Sequence, residues 1–174
     1  MDKTILIILI GLFITENANG QIAFVKQTLI EGKVEISLPS TYLAVAKSEI
    51  QKDFPDPDYF PSVIYREGKE GASFKVVLEE NQVSPTEVGQ YKGWRVTRML
   101  RDSTLKVMSH DLKDINGRKV GIIKVNYPQT QRYHHYFFTS LEGQLILLIL
   151  ECASVDISNK DLEFDKIVSS LFIQ

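Results

Sequence analysis

The feature that most constrains the fold is an apolar run at residues 145–150, LILLIL, in which every side chain is hydrophobic. Because alternate side chains of a β-strand point to opposite faces, a strand with this sequence must be covered on both sides. The run is far shorter than the roughly 20 apolar residues that a membrane-spanning helix needs. Glu142-Gly143 precedes the run as a turn signal. Residues 133–152 are therefore predicted to form the central hairpin of a sheet.

The first 20 residues have the layout of a secretory signal peptide. Lys3 is followed by an apolar run over residues 5–14, and Ala18-Asn19-Gly20 forms a site of small residues for cleavage. The apolar run is about half as long as a membrane anchor requires, so cleavage before Gln21 is expected. The sequence thus predicts an exported protein, periplasmic or secreted, in which residues 21–174 form a single domain without a membrane span.

Charge and cysteine usage narrow the function classes. The formal net charge is −2, and removal of Asp2, Lys3 and Glu16 with the signal peptide leaves −1. This balance offers no electrostatic basis for binding nucleic acid. Cys152 is the one cysteine, so no disulfide within the chain is possible and the apolar core must stabilise the fold.

The remaining patterns alternate between strands and helices. Ser84, Pro85 and Glu87 form a helix-start signature, which predicts a helix over 84–101, although a strand over 94–100 is the competing interpretation. A second helix, over 160–172, has an apolar stripe suited to covering the hairpin. Further segments are predicted as strands over 33–38, 62–65, 72–78, 105–112 and 119–127, and as a short helix within 44–50.

Together these elements predict an α+β fold: a single antiparallel sheet with helices on both faces. The helix that starts at Ser84 is expected to cover one face of the central hairpin. The helix that starts at Lys160 is expected to cover the other.

Several segments resemble the PsbP-like superfamily. They are KVEISLPSTY, FPSVIYREGKEGASFKVVL, NGRKVGIIKV and GQLILLILECA with the following DLEFDKIVSSL, and the resemblance spans residues 33–172. It implies an α/β/α sandwich, and the layout is most similar to that of the exported bacterial DcrB-like members. The matching features determine the fold, and the resemblance supplies no shared catalytic motif. It therefore implies a binding or accessory protein without a cofactor.

The histidines suggest an alternative, metal-dependent function. His110 could approach His134 or His135 from a neighbouring strand to form a metal site or an enzyme centre. His134 and His135 are adjacent, so on a strand they point to opposite faces and both cannot readily reach one ion. No other pattern of catalytic residues accompanies them, and the sequence predicts no catalytic or metal-ligating residues.

Two groups of side chains are candidates for contact with a protein partner. Aromatic residues lie in or beside a proline-rich loop, where they could line a recognition groove; they are Tyr42, Phe54, Tyr59 and Phe60. Arg95 and Arg98, continued by Arg101, recur at helical spacing and could meet an acidic partner, although such a stripe is also typical of a solvated helix face.

The sequence thus predicts an exported, non-catalytic binding or accessory domain that acts on an unspecified protein partner or on the cell envelope. A chaperone that shields a hydrophobic segment of its partner is a further alternative, which an exposed apolar patch beside the sheet would favour. The oligomeric state is not specified by these patterns.

Overall fold

Ten β-strands and three α-helices make up the part of the chain that the computed structural model describes, residues 22–54 and 60–174. The predicted signal peptide, residues 1–20, lies outside these described residues. The strands are β1 (Phe24–Leu29), β2 (Val34–Pro39), β3 (Tyr42–Ala44), β4 (Val63–Glu67), β5 (Ser73–Gln82), β6 (Lys106–Ile115), β7 (Arg118–Tyr127), β8 (Arg132–Leu141), β9 (Gln144–Ala153) and β10 (Phe172–Ile173). The helices are α1 (Lys47–Asp53), α2 (Val88–Leu100) and α3 (Ile157–Ser169).

The predicted hairpin lies inside a seven-stranded antiparallel sheet with the order β3-β4-β5-β9-β8-β7-β6. Strands β8 and β9 pair without a break from Arg132↔Ala153 to Leu141↔Gln144. Glu142 and Gly143 both have positive φ angles, 53° and 84°, as the tight turn of a two-residue hairpin requires. The prediction of a hairpin over 133–152 is confirmed.

The prediction of a single sheet is wrong, because a second, three-stranded antiparallel sheet has the order β1-β2-β10. The segment ahead of β2 is itself a strand, β1, which pairs with β2. Strand β10 also pairs with β2, through Phe172↔Glu35 and Ile173↔Val34. Alternate residues of β2 are buried in the same core as α3. A strand of two residues carries too little sequence pattern to be recognised without its partner.

Strand β9 divides the apolar core into two layers, as its sequence requires. Ile146, Leu148 and Leu150 are buried in the layer that contains Phe164 and Ile167 of α3. The intervening side chains of β9 face the other layer, with Val88 and Val96 of α2. The two helices therefore cover opposite faces of the central hairpin, as predicted.

Both long helices begin at different residues from those predicted. Residues 85–87 form a turn ahead of α2, in which the backbone N–H and the hydroxyl of Ser84 donate to the Glu87 carboxylate at 2.9 and 2.6 Å. Residues 94–100 are helical, so the competing strand interpretation is excluded. Helix α3 begins at Ile157 and ends at Ser169, and β10 begins shortly after it, at Phe172. In the described residues, no helix is long and apolar enough to cross a membrane.

Gly121 in β7 marks the tightest approach in the α2-side layer. It pairs with Phe138 of β8, and a Cβ placed at Gly121 would lie 2.4 Å from Cε2 of the Phe138 ring. Since Phe138 is fully buried, its ring has little room to move away. Position 121 is therefore restricted to glycine by packing, and its φ angle is not in the left-handed region.

We predict that Gly121→Ala lowers the free energy of unfolding by about 1–3 kcal/mol through overpacking against Phe138. Urea denaturation followed by circular dichroism measures the effect. Gly93→Ala in α2 is the matched control, because a Cβ there meets no atom within 4 Å and should stabilise the helix by up to about 1 kcal/mol. An unchanged denaturation midpoint for Gly121→Ala would contradict the prediction.

Candidate functional site

The aromatic residues proposed for partner contact have different positions in the structure. Tyr42 is buried, and its hydroxyl donates to Oε1 of Glu163 in α3 at 3.1 Å, so it anchors β3 to that helix. Phe54 and Phe60 are half-buried, and the ammonium of Lys75 lies 5.5 Å from the centre of the Phe54 ring. Tyr59 lies outside the described residues. Tyr42 thus has a structural contact inside the chain, and the proposed role of Phe54, Tyr59 and Phe60 stays a prediction.

Arg95 points from α2 onto the sheet. Its Nη1 donates to Oε1 of Glu79 at 2.8 Å and to the Tyr91 hydroxyl at 2.9 Å, and its guanidinium lies 5.5 Å from the Tyr136 ring centre. Burial acts to raise the pKa of Glu79, but the ion pair with Arg95 outweighs it, so this pKa is lowered. The interactions of Arg95 are therefore internal, and partner contact through it stays a prediction that would require these bonds to open.

The exposed surface of α2 lies on its other side. Trp94, the single tryptophan, is 54% exposed, and the guanidinium of Arg98 lies 5.6 Å from its ring centre. Thr97 and Arg101 are exposed on the same side. We call Trp94, Thr97, Arg98 and Arg101 the outer face of α2. It combines one large aromatic ring with two arginines, residue types that are enriched in protein interfaces.

The two adjacent histidines lie on opposite faces of the sheet, as the strand period predicts. His134 is on the α2 side, where its Nδ1 and the Tyr136 hydroxyl are 2.8 Å apart and its Nε2 is 3.7 Å from Oε2 of Glu151. Glu151 is nearly buried and pairs with Lys75 and with Arg132, whose Nε donates to it at 2.6 Å. Although burial raises the pKa of Glu151, these cations outweigh it and lower the pKa to about 2.

His135 is fully buried on the α3 side, where its Nδ1 lies 4.0 Å from Oδ1 of Asp165. Neither of its ring nitrogens has a hydrogen-bond partner among the residues that the structure describes. Lys124 lies between the two carboxylates, 2.8 Å from Oδ1 of Asp161 and 3.1 Å from Oδ1 of Asp165, and the Tyr133 hydroxyl donates to Asp161 at 2.7 Å. This ion-pair cluster connects α3 to the sheet.

The same cluster is where the described residues come nearest to a set of metal ligands. The ligand atoms of His135, Asp161 and Asp165 all lie within 4.8 Å of one another. One imidazole nitrogen and two carboxylates suit a divalent cation, but the Lys124 ammonium already neutralises part of their charge. The metal site predicted as an alternative combines His110 with His134 or His135. It is not this group, because neither His134 nor His110, which is exposed on β6, belongs to it.

Sequence patterns did not indicate the two ion-pair clusters. One joins Glu151 to Lys75 and Arg132, and the other joins Asp161 and Asp165 to Lys124. Each one joins residues that are distant in the chain and meet only through strand register or helix placement. A carboxylate directly after an apolar run, as at Glu151, is the one local signal, because a charge at such a position needs partners.

We predict that stability decreases as the pH falls from 7 to 5, because of His135 and, with the same sign, His134, whose pKa burial also lowers to about 4. Burial, followed by the Lys124 charge, lowers the pKa of His135 from 6.5 to about 4. The unfolded chain therefore binds more protons in this range, so the free energy of unfolding should fall by about 2 kcal/mol for this residue alone. Urea denaturation at both pH values measures the loss.

The control for this prediction is a pair of variants. His135→Leu should reduce the pH dependence, because the buried imidazole is gone, whereas His110→Leu at an exposed position should leave it unchanged. The same pH dependence in His135→Leu and in the unaltered protein would exclude His135 as its source.

Comparisons with known proteins identify the fold. No protein-family model matches the chain, and no curated protein matches it by sequence. Among solved structures, PsbP of the cyanobacterium Synechocystis sp. PCC 6803 is similar with a TM-score of 0.59 and 15% identity, over 94% of this chain and 100% of that one. A mutant of the protein Mog1 is similar with a TM-score of 0.51 and 8% identity, over 87% and 96% of the two chains.

At such low identity, the likeness concerns the arrangement of strands and helices and says nothing of shared residues. It agrees with the α+β fold that the sequence resemblance over residues 33–172 implies. The chain therefore has the PsbP-like α+β fold.

Proposed function

We propose that this protein is an exported, non-catalytic binding or accessory domain that contacts an acidic protein partner through the outer face of α2. The observation that carries the proposal is the exposed Trp94 ring with the Arg98 guanidinium over it. In the free protein, the exposed ring and the arginine stacked on it keep apolar surface in contact with water, which is unfavourable in free energy. A partner that covers the ring would recover that free energy.

The charge of the outer face favours an acidic partner. Arg98 and Arg101 are exposed and have no acidic partner among the ion pairs of the described residues, whereas Arg95 is already paired with Glu79. Two unpaired arginines beside an aromatic ring can form bidentate bonds with carboxylates while the ring packs.

We test the outer face by photocrosslinking in the cells that express the protein. A photoreactive residue at Thr97 should crosslink a partner, whereas one at Leu162, exposed on α3, should not. Arg98→Glu should reduce the yield from position 97 about tenfold, because a carboxylate would repel an acidic partner. Lys166→Glu on α3 makes the same charge change elsewhere and should leave the yield unchanged.

Two results would contradict the proposal. Equal yields from positions 97 and 162 would show that the outer face has no special role. A crosslinked partner segment that is apolar rather than acidic would favour the alternative of a chaperone that shields a hydrophobic segment.

Export is the second part of the proposal, and the signal-like residues 1–20 support it. We predict that the protein recovered from its cellular compartment has the mass of residues 21–174. Ala18→Arg should block cleavage, because signal peptidases require a small residue there, and should leave the longer chain with the membrane fraction. Intact-mass spectrometry of both forms measures this, and a chain that retains residues 1–20 without the substitution would contradict it.

An export signal would also distinguish this chain from PsbP-like proteins that act inside the cell. We propose that the exported bacterial DcrB-like proteins are its nearest relatives in layout. The support for this is the combination of residues 1–20 with the fold.

A further inference from the structure

Strand β6 has a long exposed edge. It is the last strand of the seven-stranded sheet, and in residues 22–54 and 60–174 no strand pairs with its outer side. A register shift between Val107 and Ser109 interrupts the start of the strand. From Ser109 to Ile115 the pairing with β7 is regular, and residues 109–114 are all exposed. Seven regular residues at an open edge can accept another strand.

The direction of the backbone groups along this edge follows from one hydrogen bond. The N–H of Leu112 donates to the side chain of its neighbour Asp111 at 2.8 Å, so it points away from β7. Since backbone direction alternates along a strand, the groups of His110 and Asp114 also point outward. The turn Asn116-Gly117 agrees with this, because the residues that flank a two-residue turn are hydrogen-bonded to each other.

Charges on this edge are complementary to the same edge of a second copy. If two β6 strands pair in antiparallel fashion with Leu112 opposite Leu112, then Asp111 lies opposite Lys113 twice. In the same register His110 lies opposite Asp114 twice, although the Asp114 carboxylate already pairs with Lys119 of β7 at 2.6 Å. Within the chain, the β7 residues opposite Asp111 and Lys113 are Ile122 and Val120, so neither charge has a partner across that strand pair.

The neighbouring registers are unfavourable. In the dimer, a residue whose backbone groups point outward must lie opposite another such residue. The register can therefore shift only by two residues at a time, which moves its centre by one residue. A centre at Asp111 places two carboxylates opposite each other, and a centre at Lys113 places two ammonium groups opposite each other. A centre at His110 brings in Met108, where the pairing is irregular. Of these four registers, only the one centred on Leu112 is free of these conflicts.

From this geometry we infer that the protein forms a symmetric dimer through antiparallel pairing of β6 about Leu112, which joins two seven-stranded sheets into one. Proteins usually protect such edges with charges that repel a second copy. Here the charges alternate in sign about Leu112, so they attract it. The contact is small, so the dimer should dissociate on dilution.

Sedimentation velocity over a range of concentrations tests the dimer and its charge pairs. Asp111→Lys and Lys113→Asp each place like charges opposite each other twice, and each should weaken the dimer about tenfold or more. The double variant restores opposite charges and should return the dissociation constant to within about threefold of the unaltered protein. Lys69→Asp, exposed in the turn between β4 and β5, is the charge-matched control and should change nothing.

Cysteine crosslinking tests the register independently. In a Cys152→Ala background, Leu112→Cys should form a disulfide with itself, because paired Cα atoms at the centre lie about 5.5 Å apart. His110→Cys should not, since the two copies of position 110 are separated by four residues along the strand, about 13 Å. A monomer at every concentration, or equal disulfide yields at positions 110 and 112, would overturn the inference.

Discussion

Burial of β9 on both faces is the constraint on which the rest of the structure depends. Six consecutive apolar side chains cannot be covered by one layer, so the chain must supply two. Each side chain of this size contributes about 1.5–3 kcal/mol when it is fully buried, so the run stabilises the fold strongly only if both of its faces are covered. Helix α2 covers one face of β9, and helix α3 together with the three-stranded sheet covers the other. The need to bury both faces also explains why β9 lies inside the seven-stranded sheet, between β5 and β8.

Features that depend on the spacing of side chains within one segment could be predicted from the sequence. The two-faced hairpin and the separation of His134 from His135 follow from side-chain spacing within one segment. For residues 94–100 the sequence is compatible with a strand as well, and the structure shows a helix. The second sheet was missed because it joins β1 and β2 to the two residues of β10, at the other end of the chain. No local pattern in Phe172-Ile173 reveals which strand they pair with.

The candidate site was harder to predict for the same reason. Arg95 and Arg98 have similar sequence surroundings, yet one faces Glu79 and the aromatic rings of the sheet while the other lies in solvent over Trp94. Helical spacing gives the angle between the two side chains but not which of them faces the core. Likewise, Glu151 and Asp161 acquire their partners only through strand register and helix placement. Charge networks of this kind depend on tertiary structure, which a single sequence does not show.

The pairing of β10 with β2 has a consequence for how the chain reaches its final state. The last strand completes a sheet begun by the first strands, and Asn116 also bonds the backbone carbonyl of Leu171 at 2.7 Å. Contacts between segments this distant in the sequence close a long loop, which costs more chain entropy than closing a short one. Helix α3 and the core around it cover the apolar face of β2, and β10 pairs with one edge of that strand through two residues. Formation of the three-stranded sheet therefore depends on contacts that close some of the longest loops of the described residues, whereas the hairpin of β8 and β9 closes over a two-residue turn.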